Sequence, residues 1–320
     1  MTAAALRAPT APSGPELPPD YLVLGRASTE NFPVASRLLP PALRADLMAL
    51  YGWARLVDEL GDNYAGDRLA ALDELERQLR HALAPSAAEL VDLHPLVAAI
   101  AEVVRRRDLP VQPLLDLVQA NRQDQSVSSY DDFSGLVGYC RLSANPVGRM
   151  VLAIFGLATP ERVAWSDDIC TALQLVEHWQ DVAEDAIVGR TYLPQADLRR
   201  FGVSVEELVP PGVSYVDRSR RGAPGGASAA CRALLAFECA RARRLLVSGT
   251  PLVASVPGRL RFAIAGFVAG GHAVLDALAA LDFDIYADTP RPRARRWALQ
   301  MGRLLAGLPA GGCPREGEAP

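Results

Sequence analysis

At 320 residues and 34.3 kDa, with half its residues hydrophobic and 22% charged, the chain can bury a sizeable core and lies outside the composition of a disordered protein. Its 33 basic and 37 acidic residues give a formal charge of −4, so no cationic excess is available for nucleic acid, and no nucleic-acid partner is expected. All the basic residues are arginines, a bias that the Ala, Leu and Pro richness attributes to GC-biased coding, and the five scattered cysteines form no CxxC pair; a reduced cytoplasm is expected rather than a disulfide framework or a zinc site.

Residues 1–20 are broken by proline and lack the apolar core of a signal peptide, so they read as a disordered leader. Beyond them apolar residues recur at helical spacing and strand-like alternation is scarce, which makes the fold class all-α. Helices are expected over about 41–60, 67–83, 94–107, 111–124, 131–157, 161–187, 228–248, 259–281 and 292–306, with ends good to ~2–4 residues. Pro146 falls inside one of these and predicts a kink near Asn145. No linker divides the helical run, so a single domain is expected over about 21–308, with a mobile loop at about 209–226 and a disordered tail over 309–320. The longest apolar stretch, Phe262 to Leu281, carries His272 and Asp276 and reads as a buried helix. Peripheral membrane contact stays open, because a substrate can be a lipid even when the protein is not.

Two of the expected helices carry clustered acid. In YGWARLVDELGD, a wheel turning about 100° per residue puts Leu47, Leu50, Tyr51 and Ala54 in one apolar stripe, with Asp58 inside it and Asp62 at its edge. A carboxylate there is costly unless paired or bound to a cation. A salt bridge to Arg55 is one answer, and a bound cation is the other. In ALQLVEHWQDVAEDAIVGR, Glu177, Asp181 and Asp185 lie at i, i+4, i+8 opposite an apolar face, with no basic residue between them. A solvated acidic face is the plain reading, yet neighbouring like charges cost stability and call for something positive. Two such helices facing each other across a cavity can hold hard divalent cations, and Mg²⁺ in such sites shares its positions with water and substrate phosphates. With Arg55 one turn before Asp58 and Arg190 five residues after Asp185, the set suits ionisation of a diphosphate ester.

These two segments, with GLVGYCRLSANPVGR between them, resemble the motifs of the squalene and phytoene synthases, over roughly residues 28 to 285. ENFPVASRLLP, SANPVG and WQDVAEDAIVGRTYLP look in particular like the hopanoid-pathway branch of hydroxysqualene synthases. The resemblance implies an all-α isoprenoid synthase fold, a helical bundle around a central cavity. It implies an Mg²⁺-dependent enzyme that ionises presqualene diphosphate and captures the cation with water, without NADPH. It assigns Asp58, Asp62, Asp181 and Asp185 to the metal, with Glu177, one turn before Asp181, able to join them as a further ligand, and Arg55 and Arg190 to diphosphate. Tyr139 matches the family tyrosine that serves proton transfer or cation stabilisation, and a core tyrosine with a bonded hydroxyl is the alternative. Asn145, beside the Pro146 kink, is the candidate for holding the quenching water, against a plain packing kink. Glu177 and Gln180 depart from the Asn and the basic residue that many members carry there. Head-to-head condensation of prenyl diphosphates and a catalytically silent lipid-binding relative remain as alternatives, as does docking with pathway neighbours.

Overall fold

The computed structural model describes residues 15, 17–20, 39–84, 93–210, 226–287 and 294–308. Among these residues the fold is all-α, with one isolated bridge between Ser129 and Thr191 and no strand. The expected loop at 209–226 and the tail from 309 lie almost wholly or wholly outside the described residues, as does most of the leader. The end of that leader touches the core, since Leu17 packs against it and Pro18 O lies 2.8 Å from His94 Nε2.

The helices are α1 (Pro41–Asp62), α2 (Arg68–Leu83), α3 (Pro95–Arg107), α4 (Gln112–Gln123), α5 (Phe133–Ser143), α6 (Asn145–Ile154), α7 (Pro160–Gln180), α8 (Val182–Ile187), α9 (Gln195–Phe201), α10 (Ala229–Gly249), α11 (Pro251–Ser255), α12 (Gly258–Ala280) and α13 (Ala294–Leu305). Their starts follow from local chemistry. The side chains of Asp67, Asp132, Thr159 and Ser228 cap α2, α5, α7 and α10 by accepting a backbone N–H three residues on, and proline occupies the first turn of α1, α3, α4, α6 and α7, where no helical donor is needed.

Apolar periodicity decides the packing. On α1 the buried residues Leu47, Leu50, Trp53, Leu56, Val57 and Leu60 recur three and four apart, and each such side chain contributes about 1.5–3 kcal/mol on burial. They join α2, α3, α4, α6 and the outer parts of α12 and α13 in one hydrophobic cluster. A second cluster joins α5, α7, α8, α9 and α10. Helix α12 is long and apolar enough to cross a membrane by length and composition. In this fold it packs against α7, α10, α11 and α13, with Leu260, Ile264, Val268 and Leu275 buried.

Two expected helices are each broken. The run over 131–157 stops at Ser143, and Ala144 (φ −112, ψ −48) hinges it to α6, so Pro146 sits in a first turn rather than an interior. The run over 161–187 divides at Asp181 (φ −109, ψ 14), whose N–H is shared between Glu177 O and His178 O.

Candidate active site

The first acidic segment forms the last turns of α1, and the glycine within it is required by close approach. A Cβ on Gly61 would stand 1.9 Å from Asn121 Oδ1 of α4. This contact brings the Asn121 side chain to Asp58, to which it hydrogen-bonds, while Gln125 Nε2 donates to Gly61 O at 3.0 Å. The second segment ends α7 and forms α8. Backbone bonds then hold the chain beyond it: Thr191 N donates to Ser128 O at 2.8 Å, Gln195 N to Tyr130 O and Ala196 N to Asp131 O at 2.9 Å each. These bonds carry Arg190 and Tyr192 onto the loop between α4 and α5.

Electrostatics shows which groups the fold brings together. Burial, the Asp62 charge and, more weakly, Glu177 push the Asp58 carboxyl up to about 7, with Arg55 and Asn121 pulling it down. Asp58 therefore senses a carboxylate of the other acidic segment. Burial, together with the charges of Asp181, Glu184 and Glu177, raises Asp185 to about 7 against the pull of Arg190. Solvent reaches Glu177, but the surrounding protein and the Asp181 charge still push its carboxyl up. Arg190 in turn feels Asp124 and Asp62. Five predicted carboxylates thus share a neighbourhood with two guanidiniums, and the excess negative charge raises the affinity for protons or cations.

No three His, Cys, Asp or Glu side chains among the described residues stand close enough to hold an ion by themselves. The donors are hard oxygens, and paired carboxylates that leave the remaining positions to water and phosphate oxygens are the arrangement Mg²⁺ favours. The crowded, proton-seeking carboxylates of Asp58 and Asp185 are the observation that fits such an ion.

An apolar cavity begins at the same helix. One arm of about 1070 Å³ runs from Glu177 and Gln180 past Leu173, Phe267 and Gly270 to Trp297 and Met301. A narrower arm of about 270 Å³ is lined by Val147, Val151, Ile169, Cys170 and Leu252. Both include Glu177, Leu173, Leu260 and Phe267, so the arms meet beside the acidic segment. Such dimensions suit a long apolar ligand with a charged end.

Tyr139 is buried and donates to Asp124 Oδ2 at 2.8 Å, and burial beside that carboxylate pushes its phenol far above the ordinary range. It is a neutral phenol with an assigned acceptor. Its ring belongs to a group with Tyr130, Tyr192 and His178, in which His178 and Tyr192 stack at 3.6 Å between centroids. Burial holds His178 neutral, down to about 3. Asp124 was not among the sequence candidates, nor were Tyr192 and Asn121. Asp124 also offers its backbone carbonyl to Arg190 Nη2 at 3.3 Å, so it ties the tyrosine to that arginine. The signal that could have found it is the need of a buried phenol for a partner.

Asn145 is 2% exposed. With its amide nitrogen turned to acceptors, it donates to Thr171 Oγ1 at 3.0 Å and to Cys140 O and Asp167 O at 3.3 Å each. It is not among the residues lining either arm, and the amide instead ties the α5–α6 hinge to α7.

Comparison with known proteins agrees with this architecture. The sequence pattern of squalene/phytoene synthase matches residues 26–298. The hydroxysqualene synthase of Sinorhizobium fredii is 33% identical over 242 residues, 73% of this chain and 74% of that protein. That of Zymomonas mobilis is 34% identical over 194 residues, covering 58% of this chain and 62% of its own length. Among solved structures, squalene synthase HpnC from Alicyclobacillus acidocaldarius superposes with a TM-score of 0.71 at 38% identity, over 83% of this chain and 95% of that one. With the family pattern covering most of its length and the acidic segments, tyrosine and cavity in place, the chain belongs to the squalene/phytoene synthase family.

Proposed function

We propose that this enzyme ionises presqualene diphosphate with Mg²⁺ and captures the resulting carbocation with water, giving hydroxysqualene and diphosphate. The observation that carries the diphosphate chemistry is that Glu177, whose charge reaches Asp58 of the other acidic segment, lines both arms of an apolar cavity. The water-capture step draws its support from the hydroxysqualene synthases among the relatives.

Bound Mg²⁺ would neutralise the leaving diphosphate, held by Asp58, Asp62, Glu177, Asp181 and Asp185. Arg55 and Arg190 bind diphosphate oxygens as fixed guanidinium donors. The carbon–oxygen bond breaks with its electron pair leaving on diphosphate. Water oxygen then forms the new carbon–oxygen bond and one proton is released, so no reductant enters the balance. Tyr139, held by Asp124, keeps its proton and presents a neutral ring and hydroxyl beside the site. The apolar cavity walls keep other water from the cation. The free thiols of Cys140, Cys170, Cys231 and Cys239 suit a reducing cytoplasm.

A second reading, head-to-head condensation, is favoured by the phytoene synthase of Arthrospira platensis, which is 29% identical over 88% of this chain. Purified protein with Mg²⁺ is given farnesyl diphosphate or presqualene diphosphate separately. Conversion of presqualene diphosphate to the alcohol supports the first reading, and turnover of farnesyl diphosphate alone supports the second.

A further inference from the structure

Capture by water needs a place in the apolar cavity where one water molecule is held. Asn145 does not supply it, since its amide is spent on Thr171 and two carbonyls. Helix α7 offers another. Its residues Ser166, Cys170, Gln174 and Glu177 all line the narrow arm, and on a wheel of about 100° per residue they fall within about 80° of one another. They form a polar seam in an arm that also presents Val147, Val151, Leu252 and Ile264. Two members of the seam serve each other, because the Ser166 side chain hydrogen-bonds to Cys170. Glu177 is exposed, lines both arms and belongs to the proposed cation set. Between them Gln174 is half-buried, and its Nε2 lies 3.3 Å from Nε2 of His178, one turn on. The His178 ring is buried and stacked on Tyr192 at 3.6 Å between centroids, so it is a fixed partner for that end of the amide. With the amide nitrogen donating to the imidazole, Gln174 Oε1 is the acceptor left to the arm that the residue lines.

An acceptor is what a nucleophilic water requires. An amide oxygen takes one water hydrogen and leaves the lone pairs of the water oxygen for the carbocation, whereas a donor would occupy one of them. We infer that Gln174, its amide turned by His178, holds in the narrow arm the water that captures the carbocation. This role rests on the proposed reaction, whose nucleophile it positions. One lone pair of the water oxygen forms the carbon–oxygen bond, and the resulting oxonium sheds a proton. The amide is too weak a base to keep that proton, and the released diphosphate, which ionisation itself supplies, takes it. The other polar groups of the cavity suit the task less. Arg259 can only donate, and Trp297 Nε1, also a donor, is already bound to Gly266 O at 3.2 Å. Gln180 lines the wide arm alone and is the last residue of α7 before the break.

The test gives the full chain presqualene diphosphate and Mg²⁺ in ¹⁸O-labelled water and reads the ratio of labelled alcohol to hydrocarbon products by mass spectrometry. That ratio is set after ionisation, whatever the rate at which diphosphate leaves. Gln174→Met keeps the bulk and loses the acceptor, and should lower the ratio roughly tenfold, the worth of one hydrogen bond. His178→Phe keeps a ring against Tyr192 but frees the amide, and should lower it at least about threefold. Gln174→Glu retains an acceptor and Gln180→Met leaves Gln174 in place, so both should stay within about twofold of the wild type. An unchanged ratio in Gln174→Met or in His178→Phe overturns the inference, as does a fall confined to Gln180→Met. His178→Phe decides alone if Gln174→Met does not fold. A fall in Gln174→Glu equal to that in Gln174→Met marks a disturbed cavity rather than a lost acceptor and overturns it too. Alcohol from the wild type with unchanged variants rejects the role of Gln174 alone, whereas no alcohol from the wild type rejects the proposed reaction and this role with it.

Discussion

The bond from Tyr139 to Asp124 makes the carboxylate a positioning group for the family tyrosine, and its removal leaves a buried phenol without an acceptor. Asp124→Leu is expected to lower kcat about tenfold to a hundredfold, as is Tyr139→Phe, and the double variant should fall no further than either single one. Additive losses in that cycle would separate the two residues. On the proposed function, Asp58→Asn and Asp181→Asn remove proposed cation ligands rather than core volume, so each should lower turnover by at least about a hundredfold while circular dichroism stays unchanged. Parallel loss of helical signal would make them structural instead. At this scale the neighbourhood of the acidic candidates was legible because a carboxylate on an apolar stripe, as at Asp58, and like charges one turn apart, as at Glu177 and Asp181, are both costly. Asp124 was not, since it lies at the end of α4 with no patterned partner and meets Tyr139 only through the fold. Asn145 was singled out from its place beside Pro146, which says where the helix breaks but not which way an amide points. The structure turns it to Thr171 and two carbonyls.

Among the elements, the long periodic helices were legible almost to their ends, because burial of an apolar stripe and capping chemistry act through local sequence. The breaks at Ala144 and Asp181 were less so. The i, i+4, i+8 spacing places Glu177, Asp181 and Asp185 on one continuous face, whereas the helix ends between Gln180 and Val182. Gly61 shows how element packing serves the site: Gly61→Ala should press on Asn121, destabilise the protein by about 1–3 kcal/mol in urea unfolding, and loosen the partner of Asp58. Unchanged stability would mean that α1 and α4 can part at no cost. The α9–α10 contact carries a pH dependence. Glu238 is fully buried, with Arg241 Nη1 at 3.0 Å and the Asp197 carboxylate competing for that arginine; burial raises it to about 8. The folded state then holds a proton that the unfolded chain releases from about 4.5 upward. Its stabilising contribution is complete below that value and is lost as pH rises toward 8. Glu238→Gln should flatten the decline in stability between those limits, and an unaltered slope would assign the titration elsewhere.

For the whole molecule, the two hydrophobic clusters flank a cavity whose walls are largely apolar and which Glu177 of the second acidic segment lines at one end. A ligand that brings cations and phosphate to that end binds only the folded state. Mg²⁺ with inorganic diphosphate at a hundredfold excess over Kd should therefore stabilise the protein by about 2.7 kcal/mol, read as a rise in Tm. Neither component alone should match the pair, and no shift would favour a catalytically silent relative. The most direct measurement is mass spectrometry of the product formed from presqualene diphosphate and Mg²⁺ in ¹⁸O-labelled water. The account predicts hydroxysqualene carrying the label in its hydroxyl group, formed together with diphosphate. An unlabelled alcohol, or no consumption of presqualene diphosphate by protein that turns over farnesyl diphosphate, would contradict it.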